Sequence, residues 1–312
     1  MACSYCLVVL SKSARSTDWP PGPGSGRPAI LYVAEQGTHR IQALNAETGT
    51  HIRYFGTGTR GAAADQLYNP YGVALQEPAP GSGQPTLLFV ADFSNHRVQV
   101  FDADTGALVR TYGTTGQHGN AKGQFNAPAD LALRSAGPPG SGQPAVLYVA
   151  DAINYRIQAV TADTGMHIRF FATGTAGAAA DQLNWPYSVA LHEPAQGSDQ
   201  PTLLFVADWQ NYRVQVFDAD TGVLVRTIGT TGVAGAALGQ LNVPSGVMVH
   251  PGADGDAAIR DREQQQSCAG ICAVSIPRSS DPEIALDSSD VRIVDRGVVA
   301  LWQSGRSYVA AG

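Results

Sequence analysis

Leu87–Gly116 reads LLFVADFSNHRVQVFDADTGALVRTYGTTG, and Leu203–Gly232 reads LLFVADWQNYRVQVFDADTGVLVRTIGTTG. The two stretches agree at 25 of 30 positions. Shorter echoes start at Leu31 (LYVAEQGTHRIQAL) and Leu147 (LYVADAINYRIQAV), so the equivalent Val33, Val90, Val149 and Val206 are spaced by 57, 59 and 57 residues. A fixed period of this kind marks a repeat architecture, in which each unit is one supersecondary element that buries its apolar faces against its neighbours. The units also alternate. IRYFGTGTRGAAADQLYNPYGVAL from Ile52 returns 116 residues later as IRFFATGTAGAAADQLNWPYSVAL from Ile168, so a pair of repeats has been duplicated.

Each unit predicts four short strands: GVAL, LLFVAD, RVQVF and LVRTYG, with the tip FSNH and the turn DADTG between the later ones. β-branched and aromatic residues fill the runs, Gly, Pro, Asn and Asp bound them, and RVQVF alternates at the strand period. Four-stranded antiparallel units in radial repetition are the blades of a β-propeller, an all-β fold. The repeat defines four clear blades and opens a fifth, degenerate one. Blade one starts near Leu7, and blades two to four run over about 72–113, 130–172 and 188–229.

The pattern V-A-D-x-x-N-x-R-[IV]-Q-[VA], a D-x-x-T-G turn, and then G-Q-[FL]-N-x-P-x-G-[VL]-A resembles the NHL repeat over residues 31–250. The resemblance implies a propeller, commonly six-bladed, that binds protein or RNA; a minority of relatives are enzymes, notably peptidyl-amidoglycolate lyases. It also implies a role as substrate-recognition part of a ubiquitin-ligase system, although the chain shows no RING-like array of its own. The period here is longer than the family's, through insertions such as QEPAPGSGQPT, and the repeats are too few for six blades. A five-bladed or imperfectly closed ring is the favoured expectation. An open arc, closure by a second copy, and a fragment of a larger propeller are the alternatives.

Outside residues 31–250 the pattern fades. Residues 1–30 read as a partial first repeat with a Pro/Gly-rich loop, 251–282 as a flexible polar insertion with a short helix at Ala257–Gln266, and 283–312 as a degenerate blade or tail. Cys3, Cys6, Cys268 and Cys272 lie in these ends. Their loose spacing reads as unpaired thiols rather than a zinc site, and no metal or cofactor is expected. Charged residues are 15% and the net charge is −6, so the basic footprint that nucleic acid requires is missing. No apolar run approaches a bilayer span and the N-terminus makes a poor secretory signal, so the default expectation is a cytoplasmic protein with no membrane partner.

Residue types present in every blade are expected to serve the scaffold. Asp92, Asp151 and Asp208 sit at a strand end, where a carboxylate accepts N–H bonds of the following turn. Asn95, Asn154 and Asn211 suit a left-handed position. Arg97, Arg156 and Arg213 pair with an acid of their own or the next blade.

Function is then sought where the copies differ. Antiparallel strands bring the tips between the second and third strands to the same face as the connections that enter each innermost strand. That face collects Tyr68, Tyr71, Phe93, His96, Phe125, Tyr155, Trp185, Tyr187, Trp209 and Tyr212. Aromatics beside Asn, Gln and Arg are the stuff of protein-binding hot spots. Tyr71 and Tyr187 also suit packing between blades, and both readings stand. The expected partner is a protein or peptide, with self-association if the ring is incomplete.

A catalytic reading finds less support. The lyase relatives place zinc-binding histidines near the starts of the innermost strands, where this chain has Tyr71, Ala129, Tyr187 and Ser245. His39 and His96 share tip positions of adjacent blades without a third ligand. No GxSxG elbow, P-loop or HExxH occurs, and the glycine-rich loops join strand to strand rather than strand to helix. The chain therefore reads as a binding module, with a metal-dependent lyase or hydrolase as the alternative.

Overall fold

A computed structural model describes residues 8–11, 29–78, 82–137, 140–194, 198–249, 293–294 and 297–298. The Cys3, Cys6, Cys268 and Cys272 thiols, the polar insertion, the helix at Ala257–Gln266 and most of residues 283–312 fall outside these. Blade one is built of β1 (Val8–Ser11), β2 (Ile30–Glu35), β3 (Arg40–Asn45) and β4 (His51–Phe55), and blade two of β5 (Pro70–Gln76), β6 (Leu87–Asp92), β7 (Arg97–Asp102) and β8 (Leu108–Tyr112). Blade three comprises β9 (Pro128–Arg134), β10 (Val146–Asp151), β11 (Arg156–Thr161) and β12 (His167–Phe171). Blade four comprises β13 (Pro186–His192), β14 (Leu203–Asp208), β15 (Arg213–Asp218) and β16 (Leu224–Ile228). In each blade the strands pair antiparallel in sequence order. The two-residue strands β17 (Ile293–Val294) and β18 (Gly297–Val298) pair antiparallel. The all-β, four-stranded blade expected from the repeat is therefore the observed one.

The chain divides into two compact units: Met1–Thr111 with Thr115–Gln117 and Ala285–Gly312, and Tyr112–Thr114 with His118–Ile284. The first holds blades one and two. Tyr32, Ile41 and Phe55 of blade one pack there against Val73, Leu88, Val90 and Phe101 of blade two. In the second unit Tyr148, Ile157 and Phe171 of blade three pack against Val189, Leu204, Val206 and Phe217 of blade four. The same ring contact centres both cores: Phe55 meets Phe101 edge-on at 5.6 Å, and Phe171 meets Phe217 at 5.7 Å.

The second strand of blades two and three is buried along its whole length, because apolar layers cover both of its faces. This is why LLFVAD and VLYVAD are continuous apolar runs, while the outermost strands, such as β8 with residues half-buried and exposed in turn before the buried Tyr112, alternate. The DADTG turn is fixed as the sequence suggests. Asp102 Oδ1 accepts the Asp104 and Thr105 N–H groups at 2.9 and 2.8 Å, and Gly106 closes the turn at φ 81°.

Candidate functional site

In blades two to four, an Asp-Asn-Arg set clamps the connection that enters the innermost strand. In blade two, Asp92 Oδ1 accepts Tyr68 N–H at 2.7 Å, and Oδ2 accepts Asn95 Nδ2 at 2.9 Å and Arg97 Nε at 2.7 Å. Asn95 also donates to Gly61 O at 2.7 Å. The Arg97 fork donates through Nη1 to Ala62 O and Thr115 Oγ1, and through Nη2 to Ala63 O and Gln66 O. Blade four repeats the set with Asp208, Asn211 and Arg213 on Asn184 N–H, Gly177 O, Ala178 O, Ala179 O and Gln182 O. Blade three does so with Asp151, Asn154 and Arg156 on Asn126 N–H, Gly119 O, Asn120 O, Ala121 O and Gln124 O. All nine side chains are buried.

Two details of the sequence reading change. The Asp carboxylates hold the connection 24 or 25 residues earlier, not the turn that follows. The left-handed residue is also not the Asn. Residues 93–95, 152–154 and 209–211 form a 3-10 turn, and His96, Tyr155 and Tyr212 take φ 56°, 53° and 54° after it. Asn instead turns inward, because its amide can reach both the carboxylate and the loop carbonyl. Each Arg pairs with the acid of its own blade. The glycine-rich loops are accordingly wrapped around guanidinium groups, their carbonyls already engaged.

On this clamp stand the aromatic groups. In the first unit Tyr71 and Phe93 stack with centroids 4.4 Å apart, while Tyr68 meets His39 edge-on at 5.5 Å and lies under the Arg60 guanidinium. The second unit places Trp185 and Tyr187 6.0 and 5.8 Å from Trp209. All of these rings are partly exposed, as are His96, Tyr155 and Tyr212. Phe125 is the exception and leaves the candidate face. It is fully buried, at the position where the other repeats carry the equally buried Leu67, Leu183 and Leu241.

Trp185 holds φ 59°, immediately before Pro186. Asn69, Ala127 and Val243 occupy the same left-handed position at 50°, 55° and 46°. An L-residue with a bulky side chain pays strain there, so the indole is presented by a constrained backbone rather than a free loop. His39 Nδ1 accepts Asn69 N–H at 3.3 Å, which assigns this histidine to the tip itself. Among the described residues no three His, Cys, Asp or Glu side chains gather where a metal ion would sit.

One polar group went unnoticed in the sequence. At the second residue after each innermost-strand proline the repeats read Gly72, Asp130, Ser188 and Gly246, so the break from glycine to Asp and Ser was the available signal. Asp130 is buried on β9 with Oδ2 accepting Ser188 Oγ–H at 2.7 Å and Val189 N–H at 3.0 Å, and Oδ1 accepting Leu131 N–H at 2.8 Å. Ser188 Oγ in turn accepts Val247 N–H at 3.2 Å.

Four-stranded blades on a fixed sequence period make this a repeat protein of the β-propeller class. No family model matches the chain. It is similar to NHL repeat-containing protein 2 of Bos taurus, with 28% identity over 229 residues, covering 64% of this chain and 30% of the relative. Its similarity to NHL repeat-containing protein 3 of Homo sapiens is 30% over 204 residues, 64% of this chain and 48% of the relative. For the Mus musculus protein 3 the figures are 27% over 224 residues, 70% and 53%. These relatives support the NHL character of the repeat, and the chain spans between 30% and 53% of their length. Among solved structures it is similar to Kuenenia stuttgartiensis hydrazine synthase, at 16% identity and TM-score 0.41, covering 64% of this chain and 45% of that one. An auxiliary nutrient binding protein from Bacteroides thetaiotaomicron aligns at 14% identity and TM-score 0.45, covering 70% and 50%.

Proposed function

We propose that this chain is a non-catalytic NHL-type scaffold that takes a protein or peptide segment on the aromatic loop ends of its blades. One observation carries the reading. Of the five differences between Leu87–Gly116 and Leu203–Gly232, three fall in the four-residue tip: Phe93 against Trp209, Ser94 against Gln210, and His96 against Tyr212. The clamp beneath is the same in both copies, so the scaffold is held constant while the exposed aromatic surface changes. Such divergence over a common frame is what selection for a bound partner produces, since large rings in a rigid setting supply contact area at little conformational cost.

By its resemblance to NHL proteins the partner class is protein rather than nucleic acid, given the acidic balance of the chain. A place as substrate-recognition part of a ubiquitin-ligase system follows from the same resemblance, with the catalytic subunits supplied by other chains.

The test is capture by cross-linking from cell extract with the parent protein and with Phe93→Ala/Trp209→Ala. The double variant is expected to keep its melting temperature and lose partner bands. Undiminished capture would move the site off this face.

A further inference from the structure

Asp130 differs from the other buried carboxylates of the blades. Asp92, Asp151 and Asp208 each face an Arg of their own blade, whereas the hydrogen-bond partners of Asp130 are Leu131 N–H, Val189 N–H and Ser188 Oγ–H, with no cation among them. The titratable groups on the strands packed against it are engaged elsewhere or lie at a distance along the strand. On β9 itself Arg134 is paired with Asp220; on β10, Asp151 is paired with Arg156 and Tyr148 donates to Ala219 O; β13 contributes Tyr187 and His192. The carboxylate therefore ends a directed relay, Val247 N–H to Ser188 Oγ–H to Asp130 Oδ2. It spans the innermost strands of blades three and four and the first residues of the fifth unit.

We infer that Asp130 and Ser188 form an acid-sensitive clasp on the Pro244–Val249 segment, closed when Asp130 is ionised and opened by its protonation. The reason is the count of donors and acceptors. The partners of the carboxylate are two N–H groups, which only donate, and one hydroxyl. A proton added to Asp130 can be donated only to Ser188 Oγ, so the hydroxyl must turn from donor to acceptor. Its own hydrogen then loses the carboxylate that accepts it in the ionised state, and in the orientation aimed at Val247 N–H two hydrogens face each other. The hydrogen bond from Val247 is weakened by that reversal, and its release relieves the conflict. Desolvation sets the working range, since burial raises the Asp130 carboxyl to about 6 against the lowering by its three donors.

The clasp also explains a local feature. Pro244–Val249 repeats the innermost strands Pro70–Gln76, Pro128–Arg134 and Pro186–His192 in sequence, but forms no ladder among the described residues. Val247 and Val249 pack with Phe205, Val214 and Val216 of blade four, and the relay adds a polar hold on the Val247 backbone.

Amide hydrogen exchange of the full chain between pH 5 and 7.5, corrected for the intrinsic pH dependence, tests the inference. The protection factor of Val247 is expected to fall at least about tenfold on acidification, with a midpoint near pH 6. In Asp130→Asn the protection should no longer vary with pH. Ser188→Ala, which removes the middle of the relay and only one oxygen, should show low protection at Val247 at every pH, and serves if Asp130→Asn fails to fold. Val247 protection that stays constant with pH in the parent would overturn the clasp. So would a midpoint that persists in Ser188→Ala, or one that is abolished by His192→Gln rather than by Asp130→Asn.

Discussion

Arg213→Ala is expected to destabilise the second unit by about 3 to 5 kcal/mol, while Arg40→Ala costs about 1 kcal/mol or less. Both residues occupy the same repeat position, four residues after the start of the tip. Arg213 Nε lies 2.7 Å from Asp208 Oδ2, and both side chains are almost wholly buried, at 3% and 0% exposure. The fork adds four more bonds, to Ala178 O, Ala179 O, Gln182 O and Thr231 Oγ1. Truncation does not cost the sum of these. Ala178 and Ala179 are exposed and their carbonyls can turn to water, whereas the Asp208 carboxylate remains behind with no counter-charge, and that residual burial sets the magnitude.

Arg40 is paired with Glu35, but the two side chains are 27% and 26% exposed, so solvent replaces the lost partner. Its stacking over Tyr54 at 3.9 Å adds a few tenths to about 1 kcal/mol. Arg213→Lys should fall between the two, since an ammonium preserves the charge opposite Asp208 but cannot fork to three carbonyls. The assay is equilibrium urea unfolding followed by tryptophan fluorescence and far-UV circular dichroism. Equal losses for Arg213→Ala and Arg40→Ala, or a loss under about 1 kcal/mol for Arg213→Ala, would refute the view that burial of the clamp, rather than the presence of an ion pair, sets its energy.

Phe217→Ala, which empties a site packed edge-on against Phe171, should cost about 3 to 5 kcal/mol in the same assay, against no more than about 0.5 kcal/mol for Val223→Thr, where the side chain is 63% exposed. Trp185→Asn, which installs the residue that blade two carries at this left-handed position, should leave stability unchanged or raise it by up to about 1 kcal/mol while lowering partner capture; a loss of stability above about 1 kcal/mol would show that the indole is core. Asp130 predicts an unusual sign in pH: its folded value of about 6 exceeds the unfolded value, so the folded state holds the proton more tightly. The global stability it contributes therefore falls as pH rises between about 4 and 6, by up to about 3 kcal/mol. The difference in unfolding free energy between Asp130→Asn and the parent should change accordingly over that window, and a difference constant with pH would contradict it.

The blades were legible because the repeat states each strand four times over. Self-similarity at 57 to 59 residues, alternation in RVQVF and the DADTG turn each determine a local structure from neighbouring residues alone. What the sequence withheld was long-range. Asp92 recurs with Asn95 and Arg97, which suggests a scaffold role, but nothing local says that the carboxylate reaches back 24 residues to Tyr68 N–H or that Asn95 points inward. The left-handed residue was misplaced by one because Asn is the favoured type there by propensity. In the structure the Asn amide is worth more as a buried donor, and His96, Tyr155 and Tyr212 bear the backbone strain. Phe125 reads as a binding aromatic because it stands in a connection that enters an innermost strand, yet its repeat counterparts are leucines, and that comparison is the better guide.

The clamp and the aromatic tips are adjacent in sequence, the one constant and the other variable among blades two to four, and the geometry explains how both are accommodated. Asp, Asn and Arg take the first, fourth and sixth positions of a six-residue run, and all three side chains turn into the blade. In blades two and four the second, third and fifth positions are left at least partly exposed. Phe93, Ser94 and His96 thus became Trp209, Gln210 and Tyr212 without altering one clamp hydrogen bond between blades two and four. Blade three shows the converse: with Ala129 and Ala152 at the positions of Tyr71 and Phe93, the clamp persists although the aromatic pair is gone. The pair is therefore not needed to fold a blade, which leaves its rings free for the proposed binding role.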